Sequence, residues 1–311
     1  MSTSDAGPAR PRICFMVLTH AAPAHLARLA EALGEEGDAV VVHVDARVDD
    51  APFRAAAPDA HFVVDRARVR WAGFSTVQAM LNLLRASRAL VPDADHYWLV
   101  SGDSYPLRSV AGLRAHLAEH GDAEFFSLVP MPSAQMEKPL SRISHPYVEH
   151  DPRAHPWLHR LVLAVHLRLP RPYKKALGGM QPYCGSPWFT FTAAAVDHVL
   201  HETDTRPEYV RLMRTTFCVD EHYFQTLIGN SRFLEKCLTS LQYHDFRPDG
   251  DLPRPAQIGP RHVDELVAKV DDPDTDGYGP RTYLFARKFN DAAPEVVDLV
   301  RERLWGLPVG R

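Results

Sequence analysis

The hydrophobic residues of the chain occur in short unbroken runs separated by segments of helical periodicity. Unbroken runs predict strands that are buried on both faces, because strands covered on one face alternate apolar and polar residues. The runs are 12–18, 39–44, 61–64, 96–100 and 125–129. Between the runs, apolar residues recur at helical spacing, as in Leu26, Leu29 and Leu33. The alternation predicts an α/β fold with a mostly parallel central sheet and helices on both faces.

Polar residues end three of these predicted strands. Thr19 and His20 follow the first strand, Asp45 follows the second, and Ser101 and Asp103 follow the fourth. Ligands bind at the carboxyl ends of the strands in open parallel sheets, so we expect a ligand site at this edge. Asp and Ser are also common turn formers, which is the alternative for each residue taken singly. No GxGxxG or GxxxxGK[ST] motif is present, which disfavours a dehydrogenase-type dinucleotide fold and a P-loop NTPase.

The segment 217–231, FCVDEHYFQTLIGNS, predicts a short helix with an acidic pair at its start. Its apolar residues recur at helical spacing, and Gly229–Asn230 ends the pattern. Asp220 and Glu221 then lie in the first turn, where the helix dipole and free N–H groups favour an ionised carboxylate. Such a carboxylate is a candidate general base. Alternatively, the two acids only stabilise the helix terminus, by roughly 0.3–1 kcal/mol.

The composition is that of an ordinary globular protein. The 311 residues are 45% hydrophobic and 24% charged, which is enough for a large core. The net charge of −4 provides no global basic field for nucleic acid or anionic lipid. Four scattered cysteines without a CxxC pair argue against a zinc site or a disulfide framework. We find no signal-peptide pattern and no apolar stretch of ~18 residues, so we expect a cytoplasmic protein without a membrane span.

Seven short motifs occur in a fixed order along the chain. They are THAAP at 19–23, HVD at 43–45, WAGFS at 71–75, SGDSYPL at 101–107, GSPWF at 185–189, DEHYFQT at 220–226 and LFARKF at 284–289. This ordered set resembles the core-2/I-branching β-1,6-N-acetylglucosaminyltransferase and xylosyltransferase family, glycosyltransferase family 14, in a soluble, bacterial-type form. One departure is that many relatives read SG-x-D-x-P, whereas Asp103 and Ser104 stand in exchanged order here, which puts the role of Asp103 in question.

The resemblance implies a GT-A-like fold and an inverting glycosyltransferase that works without a divalent metal. The donor would be a UDP-sugar, with N-acetylglucosamine or xylose as the expected sugar, and the acceptor a hydroxyl of a small molecule or glycan. A metal-binding DxD motif would stand at the carboxyl end of a strand. Residues 45–47 read DAR and 102–104 read GDS, whereas the DAD of 93–95 precedes a strand. We therefore predict no metal ligands and no cofactor.

The motif matches also imply residue roles. Glu221 matches the family's catalytic base, which takes the proton of the acceptor hydroxyl as that oxygen attacks the anomeric carbon. Lys288 matches the family lysine that neutralises the departing diphosphate, with Arg254 as its predicted partner and Arg261 as the alternative. Arg287 is predicted to point the other way on a strand. The remaining expected donor-binding residues are Thr19, His20, Asp45, Ser101 and Asp103. The expected sugar- or acceptor-binding residues are Trp188, Asp220 and Arg142.

We predict one domain in two halves. A disordered tail at 1–11 precedes a nucleotide-sugar-binding half at 12–129 and an acceptor-binding and catalytic half at 130–311. The second half begins with residues 130–182, which are rich in Pro, His and Arg and contain one predicted helix at 157–169. Long irregular segments of this kind often bind ligands, so an acceptor loop or lid is expected there, with a plain connector as the alternative.

Several alternatives remain open at this point. Trp188 is either a sugar platform or a core aromatic residue, and Lys288 is either a diphosphate ligand or a surface lysine. At the level of function, the first rival is a catalytically silent protein that binds UDP-sugars or glycans on the same fold. The second is a hydrolase that uses Asp220 and Glu221 with water.

Overall fold

The structure, a computed structural model, describes residues 10–34, 38–150, 156–166, 168–247, 255–271 and 274–307. Within them the strands are β1 (Ile13–Thr19), β2 (Ala39–Val44), β3 (His61–Phe62), β4 (His96–Ser101), β5 (Ser104–Pro106), β6 (Glu124–Pro130), β7 (Tyr183–Thr192), β8 (Cys237–Leu238), β9 (Gln242–His244), β10 (Thr275–Asp276), β11 (Gly279–Pro280) and β12 (Phe285–Arg287). The α-helices are α1 (Pro23–Gly34), α2 (Ala51–Ala56), α3 (Phe74–Leu90), α4 (Val110–His120), α5 (Ser141–Ser144), α6 (Pro156–His166), α7 (Tyr173–Leu177), α8 (Ala193–Thr205), α9 (Pro207–Met213), α10 (Tyr223–Gly229), α11 (Pro260–Asp271) and α12 (Glu295–Trp305).

Seven strands form the central sheet in the order β3-β2-β1-β4-β7-β6-β8. Neighbouring strands are parallel from β3 through β4 and again between β6 and β8, whereas β7 runs antiparallel to both of its neighbours. The predicted runs coincide with β1, β2, β4 and β6 to within a residue, and the run at 61–64 forms only a two-residue strand. The predicted mostly parallel α/β sheet is confirmed, and it agrees with the GT-A-like fold that the resemblance implies.

Both faces of the central sheet are covered by helices. Alternate residues of β1 belong to different cores, since Met16 packs with one apolar cluster and Phe15 with another. The first cluster includes Val77 of α3 together with residues of α8 and α10. The second includes Leu29 of α1 and Leu113 of α4. The absence of polar residues from Ile13 to Leu18 of β1 therefore follows from burial on both sides.

A second sheet lies next to the end of β4, because β5 begins three residues after it. Its order is β5-β12-β9, and β12 pairs antiparallel with β5, with Arg287 opposite Ser104. Helices α11 and α12 supply apolar side chains, such as Val263 and Val300, to the core of this sheet. The pairing brings the motif at 284–289 against the motif at 101–107.

The acidic pair lies before its helix and not in its first turn, so that prediction was wrong. Val219–Glu221 forms a short 3-10 helix, and α10 begins only at Tyr223. Cys218 adopts a left-handed conformation with φ of 48°, and the N–H of Glu221 bonds to the carbonyl of Cys218 at the three-residue spacing of a 3-10 turn. His222, with φ of −134°, interrupts the helical path. The dipole of α10 is therefore not what holds Glu221.

Two further predictions concern the ends of segments. The helix predicted at 157–169 is α6, Pro156–His166. The predicted tail at 1–11 lies outside the described residues except for Arg10 and Pro11.

Within the described part of the chain, we find no helix both long and apolar enough to cross a membrane.

Candidate active site

A cleft of about 700 Å³ gathers residues from the ends of β1, β2 and β4, from the β7 motif and from the acidic turn. The predicted site residues that line it are Thr19, His20, Asp45, Ser101, Trp188, Asp220 and Glu221. Asp103 and Arg142 do not line the cleft but bind residues that do. Arg254 lies outside the described residues, and Arg261 is exposed at the start of α11. Residues separated by some two hundred positions in sequence therefore meet at one edge of the sheet.

Glu221 is fixed by two basic side chains. The ammonium group of Lys138 and the Nη1 of Arg142 both donate to its Oε2, the latter at 2.5 Å. No described residue hydrogen-bonds to the other oxygen, Oε1. The relative solvent exposure of the Glu221 side chain is 28%. The carboxylate is thus oriented through one oxygen, while the other is available to a molecule in the cleft.

Asp220 has a raised pKa. Burial and the adjacent charge of Glu221 raise the pKa of Asp220 to about 7, against the opposing effect of Lys138 and Arg142. Gln225 holds the backbone of the turn by donating its amide to the carbonyls of Ser186, at 2.8 Å, and Asp220, at 3.2 Å. Near neutral pH the Asp220 carboxyl therefore exists in both forms and can donate a hydrogen bond while Glu221 accepts one.

This raised pKa predicts a pH dependence of stability. The folded chain holds the Asp220 proton up to about pH 7, whereas the unfolded chain releases it near pH 4, so this group makes the free energy of unfolding fall with rising pH over that window. Asp220→Asn removes the titration. Urea unfolding at pH 5 and pH 8 should show the variant gaining stability relative to wild type at the higher pH. A difference between the two proteins that is independent of pH would contradict this assignment.

A close approach between β1 and the end of β4 shapes the floor of the cleft. The N–H of Gly102 donates to the carbonyl of Leu18 at 2.7 Å. A Cβ atom at Gly102 would lie 2.3 Å from the Oγ1 and 2.5 Å from the Cβ of Thr19, which real contacts do not allow. Glycine is therefore required at this position so that Thr19 can keep its place in the cleft.

Gly102→Ala should destabilise the protein by about 1–3 kcal/mol, since a methyl group is forced into a packed contact. Gly34→Ala, at the end of α1, is the control, because a Cβ there meets nothing within 4 Å. Urea unfolding measures both, and equal stability of the two variants would show that Thr19 moves aside at no cost.

Arg287 is the basic residue of its motif that lines the cleft, so the prediction that it points away from the site was wrong. Its guanidinium binds Asp103 through two bonds, Nε to Oδ1 at 2.8 Å and Nη2 to Oδ2 at 3.0 Å. It also lies 5.0 Å from the centre of the Trp188 ring. Burial would raise the pKa of Asp103, but the charge and hydrogen bonds of Arg287 outweigh it, and the pKa is lowered. Asp103 therefore acts as the anchor of Arg287, which strand alternation alone could not indicate.

Lys288 follows as a half-buried cation. Its backbone is hydrogen-bonded to the segment that precedes α11. The N–H of Lys288 donates to the carbonyl of Ala256, and its carbonyl accepts from the N–H of Ile258 at 2.7 Å. Its ammonium group has no hydrogen bond or ion pair with any residue that the structure describes. Burial, followed by the charge of Arg287, lowers its pKa. Lys288 is not among the cleft-lining residues, so its contact with a donor stays a prediction.

Asp45 forms an ion pair with Arg47. Both carboxylate oxygens of Asp45 accept hydrogen bonds from Arg47. Oδ2 accepts from Nη2 at 2.8 Å and from Nε at 3.0 Å. Oδ1 also accepts from the N–H of Val69. The Asp45 side chain is 3% exposed, whereas that of Arg47 is 44% exposed and lines the cleft. Sequence reasoning missed Arg47, although its spacing of two residues from Asp45 was visible.

Exposed aromatic surface borders the cleft. Trp71 lines it, is 63% exposed and meets Phe217 edge-on at 5.9 Å between ring centres. Ala72 and Cys218, which follow these two residues, both have positive φ and are joined by a hydrogen bond of 2.9 Å. By contrast Trp188 is only 9% exposed and packs with the main core. Trp71 is thus a second candidate for a sugar-stacking platform, and the role of Trp188 stays a prediction.

Comparison with known proteins identifies the family to which the chain belongs. The sequence profile of the Core-2/I-Branching enzyme matches residues 13–266, which includes Glu221 and ends before Lys288. A search of curated proteins found no match. The matched region spans β1 to α11 and covers well over half of the chain. The protein therefore belongs to the Core-2/I-Branching enzyme family, which is a family of glycosyltransferases.

Proposed function

We propose that the protein is an inverting, metal-independent glycosyltransferase that uses a UDP-sugar. The sugar, N-acetylglucosamine or xylose, would pass to a hydroxyl of a small-molecule or glycan acceptor. The observation that carries the proposal is Glu221, a carboxylate that lines the cleft at the strand ends, with one oxygen held by two cations and the other without a hydrogen bond to any described residue. One carboxylate suffices for a single displacement, because no covalent intermediate has to be formed and broken.

The acceptor hydroxyl would donate to Oε1 of Glu221. As its proton passes to that oxygen, the acceptor oxygen forms a bond to the anomeric carbon on the face opposite the nucleotide. The bond from that carbon to the diphosphate oxygen breaks, and its electron pair leaves with UDP. Lys138 and Arg142 keep the base in place throughout, and Asp220, when protonated, would donate a hydrogen bond to the sugar.

The negative charge that develops on UDP needs cations, and the cleft is bordered by several. Arg47 and Arg287 line it, and Lys288 is a nearby cation whose ammonium group forms no ion pair with a described residue. The carboxylates around the cleft are themselves bound by basic side chains, Asp45 by Arg47 and Asp103 by Arg287. These contacts favour basic side chains, and not a metal ion, as the electrostatic partner of the diphosphate. Arg254 remains the proposed partner of Lys288.

Incubation of the purified protein with UDP-sugars in excess EDTA, with and without candidate acceptors, tests this function. Acceptor-dependent release of UDP together with a glycosylated product of inverted configuration is expected. Release of UDP that needs no acceptor would instead support the hydrolase. Tight UDP binding without any turnover across the panel would support the catalytically silent binding protein.

A further inference from the structure

The last turn of α4 carries three potential metal ligands on one side. His116, Glu119 and His120 stand at positions i, i+3 and i+4, which share a helix face. One ligand atom from each side chain can be chosen so that all three lie within 4.8 Å of one another. The two imidazole rings are 4.2 Å apart between centres. None of the three residues lines the active-site cleft.

Each ring keeps one nitrogen to which no described residue forms a hydrogen bond. The Nδ1 of His120 is hydrogen-bonded to the backbone carbonyl of His116 at 2.8 Å, which fixes the ring and leaves Nε2 for a ligand. The Nε2 of His116 is buried and has no hydrogen-bond partner among the described residues. A buried nitrogen without a partner is unfavourable, and coordination to a metal would remove that cost.

The surroundings suit an imidazole-rich site. The ring of Phe125 packs 5.2 Å from that of His116 and 5.5 Å from that of His120, which forms an apolar wall. The two histidines also border a cavity of about 360 Å³, with room for water to complete the coordination.

We propose that His116, Glu119 and His120 bind one divalent transition-metal ion at the end of α4. Two imidazoles and one carboxylate favour Zn²⁺ and its neighbours Co²⁺, Ni²⁺ and Cu²⁺ over Mg²⁺ or Ca²⁺. The ion stabilises the helix terminus that leads into β6 and takes no part in sugar transfer. The site is independent of the proposed transferase function, which needs no metal.

Calorimetric titration of the tag-free protein with Zn²⁺, together with its melting temperature, tests the site. We expect saturation near one ion per chain and a rise in melting temperature. Glu119→Gln and His120→Ala alter exposed side chains, so both variants should fold. Each should weaken Zn²⁺ binding by about tenfold or more. His201→Ala, an exposed histidine of α8, is the matched control and should bind as wild type does.

The outcomes separate this site from others. Binding that is unchanged in both variants would place the ion elsewhere, for instance at the cleft, and would overturn the proposal. The absence of saturable binding by the wild type would overturn it as well. Glu119→Gln is informative on its own, because it leaves the hydrogen bond of His120 to the helix intact.

Discussion

Glu221→Gln is expected to lower kcat for sugar transfer by about 100- to 10,000-fold, the usual contribution of a general base. Glutamine has the same shape and keeps an oxygen for Arg142, but it cannot take the proton of the acceptor hydroxyl. Because the proposed mechanism has Glu221 contact the acceptor and not the nucleotide, the affinity for UDP should change far less than kcat. Steady-state kinetics of UDP release and calorimetry with UDP measure the two effects separately.

The matched control is Glu208→Gln on α9. Glu208 is exposed and its only described ion pair is a loose one, 3.8 Å from Arg211, so this variant should keep full activity. Turnover that survives in Glu221→Gln would remove Glu221 from the role of base. A loss of folding, seen by circular dichroism, would show that the contacts of Glu221 with Lys138 and Arg142 are mainly structural.

Lys288→Ala is expected to weaken UDP binding in excess EDTA by about 10- to 100-fold. The estimate follows from the loss of one charged hydrogen bond, about 1.5–3 kcal/mol. The ammonium group forms no ion pair with a described residue, and the nearby Asp103 keeps its two hydrogen bonds from Arg287, so the substitution leaves that carboxylate paired. Calorimetric titration with UDP measures the change directly.

Lys236→Ala serves as the control for Lys288→Ala. Lys236 pairs with Asp122 at the surface and does not line the cleft, so UDP affinity should stay at the wild-type value. Wild-type affinity in Lys288→Ala would mean that this lysine is not a diphosphate ligand. In that case Arg287 and Arg47, which do line the cleft, become the cations to test.

The fold could be predicted largely because β1, β2 and β4 are buried on both faces. Burial on both sides demands unbroken apolar runs, and such runs are visible without any knowledge of the neighbours. The order of the strands could not be found in this way, since β7 enters the sheet between β4 and β6 from far along the chain. The start of α10 was misplaced because the non-helical conformation of His222, with φ of −134°, separates the acidic turn from the helix, and no apolar pattern reflects that.

The site was predictable to the extent that it depends on strand ends and motifs. Thr19, Asp45 and Ser101 lie together with Glu221 in one cleft, as the sheet-edge rule and the motif order lead one to expect. The ion pair of Lys138 with Glu221 joins residues 83 positions apart, and nothing in the local sequence of either one indicates it. Long-range pairs of this kind are set by chain topology, which a single sequence does not specify.

The central claim is that the cleft binds a UDP-sugar through basic side chains and without a metal. Its most direct test is calorimetric titration of the wild-type protein with UDP in excess EDTA, repeated after Mn²⁺ is restored. We predict saturable binding in EDTA, with an affinity that Mn²⁺ leaves nearly unchanged. Binding that occurs only after Mn²⁺ is restored would contradict the basic-side-chain mechanism, and the absence of binding under both conditions would contradict the UDP-sugar donor itself.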